Sequence, residues 1–119
     1  MRALVKAFKA LSDETRLRIL NLLLERECCV CEIMQALNIS QTRASRNLSA
    51  LYDAGLLKLR RVGLWAVYSI DEESMGEYYS DLIEAVRKGL DGNETAMLDR
   101  QRLRSAQRVG PYSIPGTVC

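Results

Sequence analysis

The chain has 119 residues, 48% of them hydrophobic and 27% charged, with a formal net charge of +2: the composition of one ordinary globular domain with a modest core. It contains no histidine, which removes Ser–His and Cys–His catalytic pairs. No Gly-x-x-x-x-Gly-Lys-Ser/Thr phosphate loop occurs either, so no enzyme and no organic cofactor are expected.

No apolar run approaches the length of a membrane span, and Lys6 and Lys9 break up the first ten residues, which argues against a signal peptide. No membrane partner is expected, and the expected location is the cytoplasm, where thiols stay reduced. Val5, Phe8 and Leu11 recur at helical spacing and predict a short helix over about residues 2–11. Ser12-Asp13 supplies a cap for a second helix ending near Arg26, with Leu17, Leu20, Leu23 and Leu24 on one face. Cys29 to Leu37 reads as a short third helix with Ile33, Met34 and Leu37 inward. Asn38-Ile39 makes a tight turn, and Ser40 caps a fourth helix running to Ala54. Ala44, Leu48 and Leu51 form its buried stripe, and Gly55 is its left-handed stop.

The apolar period then changes from 3.6 to 2. Residues 57–61 and 64–70 predict two strands about a turn with Gly63, Tyr68 and Ile70 facing the core and Arg60, Arg61 and Trp65 nearer the tip. A last strong helix over about residues 72–90 carries Met75, Tyr78, Tyr79, Leu82, Ile83 and Val86. That face is broader than a small domain needs for itself and points to a partner helix. Beyond Gly92, Thr95 to Gln107 is Arg-rich and compatible with a helix, and Gly110 to Cys119, with Pro111 and Pro115, reads as irregular. The expected division is a winged helix-turn-helix domain for DNA binding and dimerisation at 1–90 and a C-terminal tail, partly helical or disordered, at 91–119. The fold class is mainly α with a small β-hairpin.

Two short helices around a tight turn, followed by a hairpin, are the parts of a winged helix-turn-helix, whose second helix enters the major groove. Its outward positions here are Gln41, Thr42, Arg43, Ser45, Arg46 and Asn47. Gln and Asn pair with adenine, Arg with guanine, and Thr packs on a thymine methyl. Arg60 and Arg61 on the wing can neutralise phosphate or reach the minor groove. Charge is distributed to match: residues 40–62 hold Arg43, Arg46, Lys58, Arg60 and Arg61 against Asp53 alone, while residues 71–84 hold six acids and no base.

The run Leu11-Ser12-Asp13-Glu14-Thr15-Arg16-Leu17-Arg18-Ile19-Leu20 resembles the second-helix signature of the arsenical-resistance repressor (ArsR/SmtB) family. Ser40-Gln41-Thr42-Arg43-Ala44-Ser45-Arg46-Asn47-Leu48, with Ala54-Gly55-Leu56-Leu57 and Arg60-Arg61-Val62-Gly63, resembles its recognition helix and wing. The resemblance covers about residues 4–90. It implies a homodimer that pairs through its first and last helices, binds double-stranded operator DNA at an inverted repeat and lets go on binding an inducer. Asn47 departs from the family pattern, which has His there in many members.

Glu27-Cys28-Cys29-Val30-Cys31-Glu32-Ile33 resembles the Glu-Leu-Cys-Val-Cys-Asp-Leu motif of the arsenic-sensing branch, and places Cys29 and Cys31 on its two thiols. That branch often has a third cysteine where this chain has Met34, so Cys28 is the obvious replacement and Cys119 a weaker candidate. Trivalent arsenic and antimony are soft and take three thiolates in a pyramid, whereas zinc prefers four ligands, typically with His or a fourth Cys. Three neighbouring thiols and no His therefore favour As(III) or Sb(III) as inducer. On a regular helix Cys29 and Cys31 would point roughly 200° apart and Cys28 and Cys31 would share a face, so ligation by all three is expected to unwind the head of the third helix. The alternatives are a thiol redox-sensing repressor, a thiol-rich metal-buffering protein, or cysteines that serve as small buried hydrophobes.

Overall fold

A computed structural model of the chain describes residues 1–73 and 76–109. Among them the order is α1 (Arg2–Leu11), α2 (Glu14–Glu25), β1 (Cys28–Cys29), α3 (Val30–Leu37), α4 (Gln41–Asp53), β2 (Leu57–Val62), β3 (Trp65–Ile70), α5 (Glu77–Leu90) and α6 (Glu94–Ser105). The three strands form one antiparallel sheet in the order β1-β3-β2. With α3 and α4 around the turn at Asn38, this is a winged helix-turn-helix.

Local chemistry explains the helix boundaries. Asp13 caps α2 by accepting from Arg16 N–H at 3.0 Å, and Ser40 caps α4 by accepting from Arg43 N–H at 3.1 Å. The Arg16 side chain turns back to donate to the Ala10 and Lys9 carbonyls at 2.6 and 3.0 Å, which satisfies the open end of α1. Asn38 takes the left-handed conformation that ends α3 (φ 54°), and Gly55 takes it after α4 (φ 82°).

The main core runs through α2: Ile19, Leu20 and Leu22 are fully buried, so α2 packs on more than the single face its leucine spacing predicts. Ala44, Leu48 and Leu51 of α4 meet it with 0% exposure, as the stripe pattern requires. Each such leucine contributes roughly 1.5–3 kcal/mol of burial.

Two expectations need correction. Cys28 and Cys29 are strand, not helix: they pair with Tyr68 and Val67 of β3, giving the hairpin a third strand. The last helix of the predicted domain begins at Glu77 rather than near residue 72. Met75 lies outside the described residues, as does Gly110 to Cys119 with its expected irregular structure. Trp65 opens β3 opposite Val62, beside the wing turn as expected, and its side chain lies on Cys29 and Cys31.

Finally, α6 is part of the packed body, although it falls beyond residue 90. Leu103 is fully buried in the main core, and Asp99 is fully buried between Arg18, at 2.8 and 2.9 Å, and Arg102, at 3.2 Å. Asn21 of α2 donates to the Ala96 carbonyl at 3.0 Å. A buried carboxylate is tolerable only with such partners, and these are what dock α6.

Candidate functional site

Successive residues of a strand face opposite sides of its sheet. Cys28 therefore points with Tyr68 into the main core, and Cys29 points the other way, with Val67 and Trp65. The chain then enters α3, and its first turn brings Cys31 back beside Cys29. Cys29 and Cys31 form a small cluster with Trp65 and Val109, fully buried at 0% and 1% exposure. The structure thus joins Cys29 to Cys31 and separates both from Cys28, the reverse of the helical expectation. Cys119 lies outside the described residues. Among the described residues, no three Cys, Asp or Glu side chains are set to share one metal ion.

Burial holds the Cys28 and Cys29 thiols protonated. It pushes Cys28 up to about 12, and it pushes Cys29 up as well, helped by the neighbouring Cys31 thiol. Beside them sits Glu32, with a side chain only 4% exposed. Its carboxylate accepts from Cys29 N–H at 3.0 Å, which caps the head of α3, from Arg26 Nη1 at 2.6 Å and from Arg108 Nε at 3.0 Å. Burial alone would raise the Glu32 pKa, but these three donors outweigh it, and the carboxyl titrates below its ordinary range.

The segment after α6 closes this face. Gln107 N–H donates to Gln35 Oε1 at 3.1 Å, and Gln35 Nε2 returns a bond to the Gln107 carbonyl at 2.7 Å. Trp65 Nε1 donates to the Val109 carbonyl at 3.0 Å.

The predicted DNA-reading residues all lie on α4 and the wing, but several are engaged within the chain. Arg43 Nη2 donates to Thr15 Oγ1 at 2.8 Å, Gln41 Nε2 to Ser45 Oγ at 3.1 Å, and Asn47 Nδ2 to the Arg43 carbonyl at 2.8 Å. Thr42, Arg46 and Arg61 are exposed. Arg60 is held by both carboxylate oxygens of Glu27, with its Nε at 3.1 Å from Oε2. That pairing lowers the Glu27 pKa and raises that of Arg60.

Sequence reading missed Glu32, Arg26, Arg108 and Val109. For Glu32 a signal existed: an acid three residues after a helix start is half of a capping box. For Arg108, 76 residues from Glu32, and Val109, 44 residues from Trp65, there was none.

A model of the family described as bacterial regulatory protein, arsR family, matches residues 13–58. An arsenic resistance transcriptional regulator of Pseudomonas putida is 38% identical over 101 residues, covering 84% of this chain and 75% of that protein. The arsenical resistance operon repressor of Escherichia coli is 46% identical over 67 residues, covering 56% of this chain and only 57% of its own length. Among solved structures, a homodimeric winged helix-turn-helix DNA-binding domain from Mycobacterium bovis, described as a possible ArsR-family regulator, superposes with a TM-score of 0.64 at 34% identity. It covers 78% of this chain and 82% of that one.

Proposed function

The chain belongs to the arsR family of bacterial regulatory proteins, and we propose that it is a repressor switched off by a trivalent metalloid at the Cys29–Cys31 pair. The observation that carries this reading is the position of the pair: two touching thiols at the head of α3, the helix packed directly against α4. The names of the Pseudomonas putida and Escherichia coli relatives support arsenic as the element, with antimony sharing its thiol chemistry.

Arsenous acid, As(OH)3, condenses with neutral thiols. Each As–O bond is exchanged for an As–S bond, and each thiol proton leaves in a water molecule. The exchange between neutral reactants therefore releases no charge into the core. A third sulfur is Cys28, which must leave the Tyr68 side of the sheet to reach the pair. Drawing it round breaks the β1–β3 pairing and distorts the head of α3. The metalloid binds that distorted state better and the operator binds the undistorted one, so each weakens the other.

On DNA, α4 presents Gln41, Thr42, Arg43, Ser45, Arg46 and Asn47 to the major groove, and Arg60 and Arg61 of the wing meet the backbone. The repressor acts as a homodimer on an inverted repeat. Leu4, Val5 and Phe8 of α1 and Tyr78 of α5 are 38–53% exposed, a costly apolar surface for a monomer, and the Mycobacterium bovis neighbour is described as homodimeric. A reducing cytoplasm keeps the pair as thiols.

The test is binding to a duplex selected from random sequence, titrated with arsenite. Wild type releases the duplex, while Cys29→Ser and Cys31→Ser bind it and stay bound. Arsenite that leaves the reduced wild-type protein on its duplex sinks the reading. Release by peroxide that a phosphine reverses would favour a disulfide switch at the same pair.

A further inference from the structure

We propose that residues Ala106 to Val109 form a lid over the Cys29–Cys31 pair, latched by Arg108 on Glu32 and by Gln107 on Gln35. The lid must lift before any thiol-seeking reagent reaches either sulfur. Its existence does not depend on which ligand the pair takes; only its role in admitting a metalloid rests on the function proposed above.

The pair is closed from solvent by Trp65 on the sheet side and by Val109 on the other, and Trp65 Nε1 fixes the Val109 carbonyl at 3.0 Å. The main core reaches only as far as Leu103 along this end of the described chain. The four residues beyond α6 are therefore held by polar latches and by Val109 lying on sulfur. Such contacts bury little apolar surface and open more easily than a core helix.

Both latches close on α3. The Gln35 amide makes two bonds with the Gln107 backbone, at 2.7 and 3.1 Å. Arg108 Nε sits 3.0 Å from Glu32 Oε1, and that same oxygen accepts the Cys29 N–H that caps α3. One carboxylate oxygen thus fastens both the lid and the helix head that carries the thiols. A ligand that pulls Cys29 out of its N-cap position strains the latch, and a lifted lid loosens the cap. The closed lid and an intact α3 favour each other, as do the open lid and ligated sulfur. Arg108 is in this sense a positioning residue: it touches Glu32, and acts on the thiols through it.

The experiment is alkylation of the full chain with N-ethylmaleimide, with mass-spectrometric fragmentation reading Cys28, Cys29 and Cys31 separately. Arg108→Ala and Gln35→Ala should each speed labelling of Cys29 and Cys31 about tenfold, with Cys28 at its wild-type rate. Arg108→Lys, which keeps a charge for Glu32, should fall in between. The emission of Trp65, the single tryptophan of the chain, should move to the red in the same order of variants as its indole meets water.

Unchanged rates at Cys29 and Cys31 would overturn the lid. Equal acceleration at Cys28 would overturn it too, because a residue of the main core reports loosening of the whole domain. Maleimide needs no metalloid, so the two proposals fail separately. A lid variant that alkylates quickly but ignores arsenite breaks the metalloid reading alone, and an arsenite-responsive wild type with unaltered lid variants breaks the lid alone.

Discussion

Cys28 and Cys29 are consecutive, chemically identical and both sealed from solvent, yet they belong to different parts of the molecule. Cys28 lies among the aliphatic side chains of the main core, its thiol 3.4 Å from the Arg26 carbonyl. Cys29 lies on the opposite face of the sheet, against Cys31, under Trp65 and Val109, with Glu32 and Arg108 alongside. The difference shows what a strand does to a cluster of ligands. Adjacency along β1 separates two sulfurs, while the strand-to-helix junction two residues later brings a second pair together.

The sharpest way to break this comparison is to remove the sulfurs one face at a time. Loss of Cys29 or Cys31 should abolish the arsenite response, because the remaining thiol of the pair has no neighbour on its face. Cys28→Val keeps the core filled and should weaken the response only about tenfold, with the sulfurs per arsenic falling from three to two in arsenic-edge absorption. A Cys28→Val variant as unresponsive as Cys29→Ser would mean that all three sulfurs are needed from the outset. The paired arrangement would then be a resting state with no ligand function of its own.

Glu32 separates the two faces by stability. Glu32→Ala leaves the Cys29 N–H without its cap and strands Arg26 and Arg108, and should cost about 3 kcal/mol in urea unfolding. That is the lower end for a broken buried pair, since both arginines reach solvent. The wild type should also lose stability in acid. A carboxyl whose folded pKa is lowered stabilises above its unfolded pKa, and that stability disappears as pH falls through the folded value. Glu32→Gln should flatten the acid limb.

Much of the fold was legible because its signals are local. The caps at Asp13 and Ser40, the stripe of Ala44, Leu48 and Leu51, and the stop at Gly55 each lie within one or two turns of what they control. The cysteine site was legible only as composition. Whether Cys28-Cys29 continues α3 or joins a sheet depends on β3, about forty residues away, and nothing in Cys-Cys-Val-Cys itself states the register. The latch was further out of reach, for Glu32 and Arg108 meet only once α6 has docked through Asp99 and Leu103.

In alkali the core thiol should declare itself. Burial pushes Cys28 up to about 12, against about 8.5 in an unfolded chain. The folded state then holds a proton that the unfolded state gives up, so stability falls as pH rises from roughly 8.5 towards 12. Cys28→Val should remove up to about a tenfold change in the unfolding equilibrium per pH unit over that window, read as the difference between the two proteins' urea midpoints. Parallel curves would place the Cys28 thiol in contact with water.

The smallest effect concerns the wing, where Arg60 lies across β3 from Cys29, both opposite Val67. Its pairing with Glu27 gives it two possible anionic partners, a carboxylate at the foot of the thiol site or a phosphate of DNA. If it leaves Glu27 for phosphate, Arg60→Ala should weaken all duplexes alike and reduce the slope of log K against log salt by about one. Glu27→Gln should then act in the opposite direction, strengthening binding to any duplex severalfold by freeing the guanidinium in advance. Should Arg60→Ala instead leave the salt slope intact, the pair persists on DNA. Arg60 would then serve the Cys29 face as a structural tie between β2 and the segment before β1, and the phosphate contact would fall to Arg61, which lies exposed on the same strand.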